Sequence, residues 1–411
     1  MPIYYINGIL LLLILYVPSI QAGIIFPPLK GPYPVGTRRI EVVDYDRKDP
    51  YAPGSQPRAP MLQLWYPISS TALLTPAPWL PPNSSYYEAQ DLGIPVEELE
   101  SIKTGTFING TAIFPLARKE KGSDQKNSTV PILVFSPGSG ALCAIYSIFL
   151  SSLASFGYTI VGIDHPYDSD HIERPSGEVI FRNETQYFSN ITLAVETRRD
   201  DVLWLGTQLT PDKLTNLLST PPSTLHSTTL SLGIFGQSLG GTTANMAMVD
   251  TSTPFQSSAS LDSPFLYPLN ETGFHGPLLY MGGTINPCCH ESLLHCWHLI
   301  TSWKLAVAIR GTTHFSFSDF ITIRLQLDHG VGDLPDVGEM NPERMVELVT
   351  DYLRAFWEWT LEGGRISGLL RGKVDAFPEV DWEDLDGNGG VMRVLSDSWR
   401  GLKKQTLGWI G

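Results

Sequence analysis

A five-residue segment, Gly236-Gln237-Ser238-Leu239-Gly240, constrains the fold of this 411-residue chain more than any other feature. It matches the pattern G-x-S-x-G, in which a serine stands on a sharp turn between a strand and a helix. Here the apolar run 230–235 precedes the segment, and a helical pattern follows it to about Met248. Glycines on both sides of the serine let strand and helix approach closely while the serine adopts a strained backbone. This context predicts that the Ser238 hydroxyl is presented at the end of a buried strand.

Strand and helix patterns alternate along most of the chain, which predicts an α/β fold with a mostly parallel central sheet flanked by helices. Short apolar runs are typical of strands buried on both faces. The predicted strands are 38–47, 61–67, 131–136, 158–163, 230–235, 257–261, 277–281 and 304–309, and the main predicted helices are 143–156, 191–209 and 342–362. We expect one domain over 23–365 and a polar, Gly-rich tail over 366–411.

Two further polar residues follow predicted strands in the chain order that an α/β-hydrolase fold requires, which is Ser, then Asp, then His. Asp262 ends the strand 257–261, and His314 follows the strand 304–309. The carboxyl ends of parallel strands meet at one edge of a sheet, so these side chains should converge on Ser238. We therefore predict Ser238 as nucleophile, His314 as general base and Asp262 as the acid that orients the histidine.

Two other acids compete for the third position. Asp250 lies at the end of a helix, and Asp319 follows His314 and so breaks the chain order. The oxyanion hole needs two backbone N–H groups. We predict Leu239, directly after the nucleophile, and Ser139, in the loop after the strand 131–136.

The amino terminus and the glycosylation sequons favour a secreted, extracellular protein. An unbroken apolar run, Ile9 to Val17, is too short to span a membrane comfortably and predicts a signal peptide over 1–22. A signal anchor is the alternative. Sequons for N-glycosylation occur at Asn83, Asn109, Asn127, Asn183, Asn190 and Asn270. The net charge of -14 gives no electrostatic footprint for nucleic acid.

Three of the four cysteines lie close together in Cys288-Cys289-His290 and His295-Cys296-Trp297-His298. A metal site from these residues would fit no standard zinc spacing, so we expect neither metal nor cofactor. A local disulfide from Cys296 to Cys288 or Cys289 is favoured, and Cys143 is left with an open pairing.

Several blocks of the sequence resemble the plasma-type platelet-activating-factor acetylhydrolases. The blocks run in order from about residue 28 to 360: Phe135-Ser136-Pro137-Gly138-Ser139-Gly140 with Tyr146-Ser147, Gly236 to Gly241, Leu261-Asp262, and Ile309 to His314 with Phe317 and Asp319. The resemblance implies a calcium-independent esterase that removes short or oxidised acyl chains from phospholipids, and it implies the same roles for Ser238, Asp262 and His314. One departure is Pro137, because that family usually has histidine before the glycine of this loop.

Two alternatives stay open at this point. A broad carboxylesterase or cutinase-like polyesterase would use the same three side chains on other esters, and a hydrolase-fold binding protein would use none of them. An apolar face of Leu293, Leu294, Trp297, Ile300 and Trp303 offers transient contact with lipid surfaces, although core packing is the simpler interpretation. The oligomeric state is left open.

Overall fold

The computed structural model describes residues 23–114, 129–183, 189–225, 228–265, 273–283, 287–327 and 333–382. Within them, the central element is a ten-stranded sheet with the order β14-β13-β12-β11-β10-β6-β7-β4-β1-β5. The strands are β1 (Val35–Glu41), β2 (Asp44–Lys48), β3 (Pro57–Arg58), β4 (Met61–Pro67), β5 (Phe107–Ile108), β6 (Thr129–Ser136), β7 (Thr159–Asp164), β8 (His171–Glu173), β9 (Val179–Phe181), β10 (Thr229–Gln237), β11 (Ser257–Leu261), β12 (Leu278–Gly283), β13 (Lys304–Ile309) and β14 (Val380–Trp382).

Nine α-helices are found in the described part of the chain. They are α1 (Pro82–Leu92), α2 (Val96–Glu100), α3 (Ser147–Ser155), α4 (Ile191–Gln208), α5 (Pro211–Leu217), α6 (Leu239–Ala247), α7 (Pro287–Trp297), α8 (Phe320–Gln326) and α9 (Pro342–Thr360). No described helix reaches the length and apolar character that crossing a membrane requires.

The sheet is parallel through its middle and antiparallel towards both sides. Strands β7, β6, β10, β11, β12 and β13 run parallel to one another, whereas β4 pairs antiparallel with β7 and β1, and β14 pairs antiparallel with β13. The predicted mostly parallel sheet with flanking helices is confirmed. Each parallel strand delivers its carboxyl end, and the loop that follows it, to one edge of the sheet.

Two hydrophobic layers cover the two faces of the sheet. Helices α3, α8 and α9 contribute to one layer, and α4, α6 and α7 contribute to the other. Helix α9 has the predicted form: the Asn341 side chain accepts a hydrogen bond from the N–H of Arg344 at 3.1 Å, and its stripe from Met345 to Phe356 is buried.

Two predicted boundaries are wrong. The expected strand 38–47 splits at Val42 and Val43, and its second half, β2, pairs with β3 in a separate two-stranded sheet. The expected tail does not begin at residue 366, because β14 pairs with β13 and Leu370, Phe377 and Val380 are buried against the domain. The folded domain therefore extends at least to Trp382. The predicted signal peptide, 1–22, and residues 383–411 lie outside the described residues.

The predicted local disulfide is also wrong. Cys143 and Cys296 are both free and buried. Cys296 lies seven and eight residues beyond Cys289 and Cys288 on the single helix α7, which separates their Cα atoms by about 10–12 Å, whereas a disulfide needs about 4–7 Å. Cys143 belongs to the opposite hydrophobic layer from Cys296, so these two cannot pair across the sheet.

Candidate active site

Ser238 occupies a strained turn between β10 and α6. Its backbone has φ 54° and ψ −126°, a conformation that L-residues adopt rarely. A Cβ on Gly236 would overlap the backbone of Gly240, and a Cβ on Gly240 would overlap the carbonyl of Ser136. The two glycines of the motif are therefore needed for the close approach of β10, α6 and the end of β6.

Asp262 lies at the carboxyl end of β11, where the sequence places it. Its backbone also has a positive φ of 46°, and its side chain is buried. Oδ1 accepts a hydrogen bond from the N–H of Gly283 at 2.9 Å, and Oδ2 lies 2.6 Å from Nδ1 of His314. The carboxylate is thus held between the ends of β12 and β13.

His314 completes a continuous hydrogen-bonded chain to the serine. Its Nε2 lies 2.9 Å from the Oγ of Ser238, and its side chain is 29% exposed, which leaves room for a reactant. Since the Asp262 carboxylate can only accept from Nδ1–H, Nε2 is left to accept from the serine hydroxyl. The structure therefore brings together all three residues that the sequence predicts, in the geometry of a nucleophile, a base and an orienting acid.

Gln237 and Tyr146 connect this chain to the loop after β6. Gln237 Nε2 donates to the backbone carbonyl of His314 at 3.1 Å, and its Oε1 accepts from the Tyr146 hydroxyl at 2.9 Å. The same hydroxyl accepts from the N–H of Gly138 at 3.1 Å. The role of Gln237 is not evident from the sequence, because any residue can occupy this position of the serine motif.

The two predicted oxyanion donors lie on the serine turn and on the loop after β6. Leu239 is the first residue of α6, and Ser139 is exposed at the tip of the loop after β6. A Cβ on the neighbouring Gly138 would lie 3.4 Å from the Cβ of Ser238, so this loop borders the nucleophile directly.

A buried arginine binds two carbonyls of that loop. Its role is not evident from the sequence. The Arg198 guanidinium on α4 donates to the carbonyls of Pro137 at 2.7 Å and Gly138 at 3.0 Å. It also forms a two-pronged ion pair with Asp168, with Nε 2.6 Å from Oδ2. The side chains of both charged residues are almost fully buried.

The competing acids have other partners. Asp250 closes a local turn with Ser252. Asp319 is buried, and its carboxylate accepts from the N–H groups of Ser147 and Ile148, at the start of α3, and from the indole of Trp79. Asp319 thus caps a helix, so the choice of Asp262 from chain order agrees with the geometry.

A second Ser-His-Asp chain lies inside the protein. Ser136 Oγ lies 3.0 Å from His165 Nε2, and His165 Nδ1 lies 2.8 Å from Asp201 Oδ2. All three side chains are buried, and Arg58 binds the Asp201 carboxylate through two nitrogen atoms. Burial and the neighbouring Arg198 lower the pKa of His165. Because a substrate cannot reach Ser136, this chain is a structural network.

The remaining predicted sites fall partly in the described residues. Asn83, Asn109 and Asn190 are exposed, and Asn183 is half-buried with its side-chain nitrogen donating to the carbonyl of Tyr51. Asn127 and Asn270 lie outside the described residues.

In the part of the chain that the structure describes, no group of three or more His, Cys, Asp and Glu side chains could hold a metal ion. Leu293, Trp297 and Ile300 of the apolar face are buried, which is core packing.

Three comparisons show which known proteins this chain is similar to. Residues 19–176 match the family model for platelet-activating factor acetylhydrolase, isoform II. A curated relative from Arthroderma benhamiae, named a probable 1-alkyl-2-acetylglycerophosphocholine esterase, is 27% identical over 400 residues, covering 89% of this chain and 95% of the relative. The solved structure of a ferulic acid esterase from Streptomyces cinnamoneus has a TM-score of 0.68 at 24% identity and covers 88% of this chain and 99% of its own.

The solved neighbour fixes the fold, and the curated relative and the family model agree on the chemistry. The predicted resemblance to the platelet-activating factor acetylhydrolases is confirmed, and the chain is a carboxylic ester hydrolase with the α/β-hydrolase fold.

Proposed function

We propose that this protein is a secreted serine esterase that removes short or oxidised acyl chains from phospholipids through an acyl-enzyme on Ser238. The observation that carries the mechanism is the unbroken chain from Asp262 through His314 to the Ser238 hydroxyl, with spacings of 2.6 and 2.9 Å. The substrate class rests on the curated relative, whose name specifies a 2-acetyl phospholipid, and on the matching family model.

The first half of the reaction transfers the acyl group to the protein. Ser238 Oγ attacks the ester carbonyl while His314 Nε2 takes the hydroxyl proton. The N–H groups of Leu239 and Ser139 stabilise the negative oxygen of the tetrahedral intermediate. When this intermediate collapses, the C–O bond to the glycerol oxygen breaks, and the leaving oxygen takes the proton from His314.

The second half regenerates the enzyme. Water attacks the acyl-serine ester and gives one proton to His314, the C–O bond to Ser238 breaks, and the serine oxygen recovers that proton. Asp262 stabilises the protonated imidazole in both halves and keeps Nε2 aimed at the serine. The products are a free carboxylic acid and a lysophospholipid.

Secretion is part of this proposal. It is supported by the apolar run at the amino terminus and by the exposed sequons at Asn83, Asn109 and Asn190. Expression in a eukaryotic host should give extracellular protein whose mass falls on treatment with an endoglycosidase. Recovery of all the protein inside the cells with its first 22 residues retained would refute secretion without affecting the proposed chemistry.

A broad carboxylesterase is the second candidate, and the fold likeness to a ferulic acid esterase is the observation that favours it. The deciding experiment compares hydrolysis of a 2-acetyl phospholipid, its long-chain 2-acyl analogue and an aryl acetate, in the presence of a chelator. We expect wild type to prefer the acetyl phospholipid to the long-chain one. Cleavage of the aryl acetate alone would favour the carboxylesterase, and cleavage of none of them would favour a non-catalytic binding protein.

Variants at the two serines with matching partners test the nucleophile. Ser238→Ala should lower kcat by about 10⁴-fold or more, since the covalent step is lost. Ser136→Ala is the matched control, because its hydroxyl has the same kind of partner but is buried. This control should retain activity, and an inactive Ser136→Ala beside an active Ser238→Ala would overturn the assignment.

A further inference from the structure

The loop between β6 and α3 is held by hydrogen bonds to several residues outside the neighbouring serine turn. The Gly140 carbonyl accepts from the N–H of Asp170 at 2.7 Å, and the Ala141 carbonyl accepts from the hydroxyl of Ser169 at 3.1 Å. These ties fix the second half of the loop. The carbonyls of the first half, Pro137 and Gly138, accept hydrogen bonds from the Arg198 guanidinium.

Arg198 binds the carbonyls of both peptide groups that lead into the proposed oxyanion hole. The Gly138 N–H also donates to the Tyr146 hydroxyl, and the Gly138 carbonyl also accepts from the N–H of Ala141 at 3.3 Å. Pro137 has no N–H, so its carbonyl is its only backbone polar group, and Arg198 binds it. The described chain contains no cis peptide bond, so C=O and N–H of each peptide point in opposite directions. Holding the Gly138 carbonyl towards α4 therefore directs the Ser139 N–H to the other side of that peptide.

Asp168 keeps the guanidinium in this orientation. It engages Nε and Nη2, and the remaining nitrogen, Nη1, reaches Pro137 while Nη2 also reaches Gly138. A planar guanidinium can bind both oxygens of a carboxylate and two carbonyls together, whereas an ammonium group has only three donors on a single nitrogen. Burying such a pair removes both charges from water at a cost, so an apolar pair of equal volume would suit a purely structural position as well.

We propose that Arg198, locked by Asp168, is a positioning residue that aims the Ser139 N–H at the developing oxyanion. It does not touch the substrate, and it acts through the direction of one backbone amide. The inference rests on the proposed function only in requiring ester hydrolysis at Ser238, and it is independent of which ester is the physiological substrate.

Arg198→Lys is the first test, measured as kcat and KM on an aryl acetate. Loss of one complete oxyanion donor costs about 10²–10³ in kcat, so a misdirected donor should cost on the order of 10- to 100-fold. KM should change by less than about threefold, because the donor acts mainly in the transition state. Asp168→Asn should lower kcat in the same way, since it releases the guanidinium, and it serves where the lysine variant does not fold.

Arg58→Lys is the matched control. Arg58 is equally buried and binds the carboxylates of Asp49 and Asp201, but the carbonyl it contacts is that of Pro166, outside the oxyanion loop. Both arginine variants should lower the melting temperature, and only Arg198→Lys should lower kcat strongly. Equal losses of kcat in both would show general loosening and overturn the proposal, as would unchanged kcat in folded Arg198→Lys or Asp168→Asn.

A double-mutant cycle with Ser139→Pro, which removes the N–H, tests the direction of action. If Arg198 acts through that amide, Arg198→Lys should reduce kcat much less in the Ser139→Pro background than in wild type. Additive effects would overturn the inference. If Ser238→Ala were as active as wild type, the proposed function would fail instead, so the two failures are distinguishable.

Discussion

Two serines in this protein, Ser238 and Ser136, have partners of the same residue types but lie in different surroundings. Ser238 and Ser136 both contact a histidine that contacts an aspartate, yet only the Ser238 chain contains a partly exposed imidazole. The backbone differs as well, because Ser238 has a positive φ that two flanking glycines permit. At this scale, access and backbone strain distinguish the proposed nucleophile from the buried serine, and a list of hydrogen bonds would not separate the two.

Asp262→Asn tests the orienting acid. An amide at this position keeps the shape but favours the wrong imidazole tautomer, so kcat should fall on the order of 10⁴-fold with little change in melting temperature. The measurement is kcat on the aryl acetate beside a thermal melt. Asp250→Asn, at a surface turn, is the control and should retain activity. A loss below about tenfold in Asp262→Asn would show that another group orients His314.

At the scale of elements, the polar carboxyl-terminal segment closes the domain. Strand β14 pairs with β13 through Val307, Ala308 and Ile309. Just before it, Phe377 packs on the Tyr352 ring of α9, with centroids 5.9 Å apart, and lies beneath the Arg344 guanidinium. A segment that is mostly polar therefore contributes to the core through a few apolar side chains.

Phe377→Ala should reduce the free energy of unfolding by about 3–5 kcal/mol, the usual cost of truncating a buried aromatic ring. Asp375→Ala, two residues earlier and exposed, should change it by less than about 0.5 kcal/mol. Chemical denaturation of both variants measures the difference. Equal stabilities would mean that the segment only rests on the surface.

At the scale of the whole molecule, one buried network joins distant parts of the chain. Arg58, His165 and Asp201 connect the β3 region, the end of β7 and the middle of α4. Burial and Arg198 lower the pKa of His165, and the bonded Arg58 and His165 lower that of Asp201. Below about pH 6.5 the unfolded histidine binds a proton that the folded one resists, so stability falls as the pH falls.

We expect the free energy of unfolding to decrease from pH 7 to pH 5, and His165→Gln to weaken this dependence while costing about 1–3 kcal/mol at pH 7 through lost buried hydrogen bonds. Denaturation series across this pH range measure both quantities. His275→Gln, at an exposed histidine, is the control and should keep the wild-type slope. Identical slopes for wild type and His165→Gln would exclude His165 as the titrating group.

The sequence predicts what depends on local pattern. Apolar runs locate the parallel strands, and chain order selects Asp262 and His314, because both signals are contained in short segments. Features that depend on contacts between distant parts of the chain cannot be predicted from the sequence pattern. The pattern across Val42 and Val43 cannot show that the chain leaves one sheet for another, and Arg198 reads as an ordinary helical charge until Pro137 and Gly138 are placed above it.

The short strands at the two edges of the sheet affect whether folded molecules of this protein can associate edge to edge. Of the described residues, only three in β14 and two in β5 form the two ends of the ten-stranded sheet. An unpaired strand edge is a template on which another chain can add, and very short edge strands are a known protection against it. Edge-to-edge aggregation of the native protein is therefore disfavoured at both ends, and the long central strands become available for fibril growth only after unfolding.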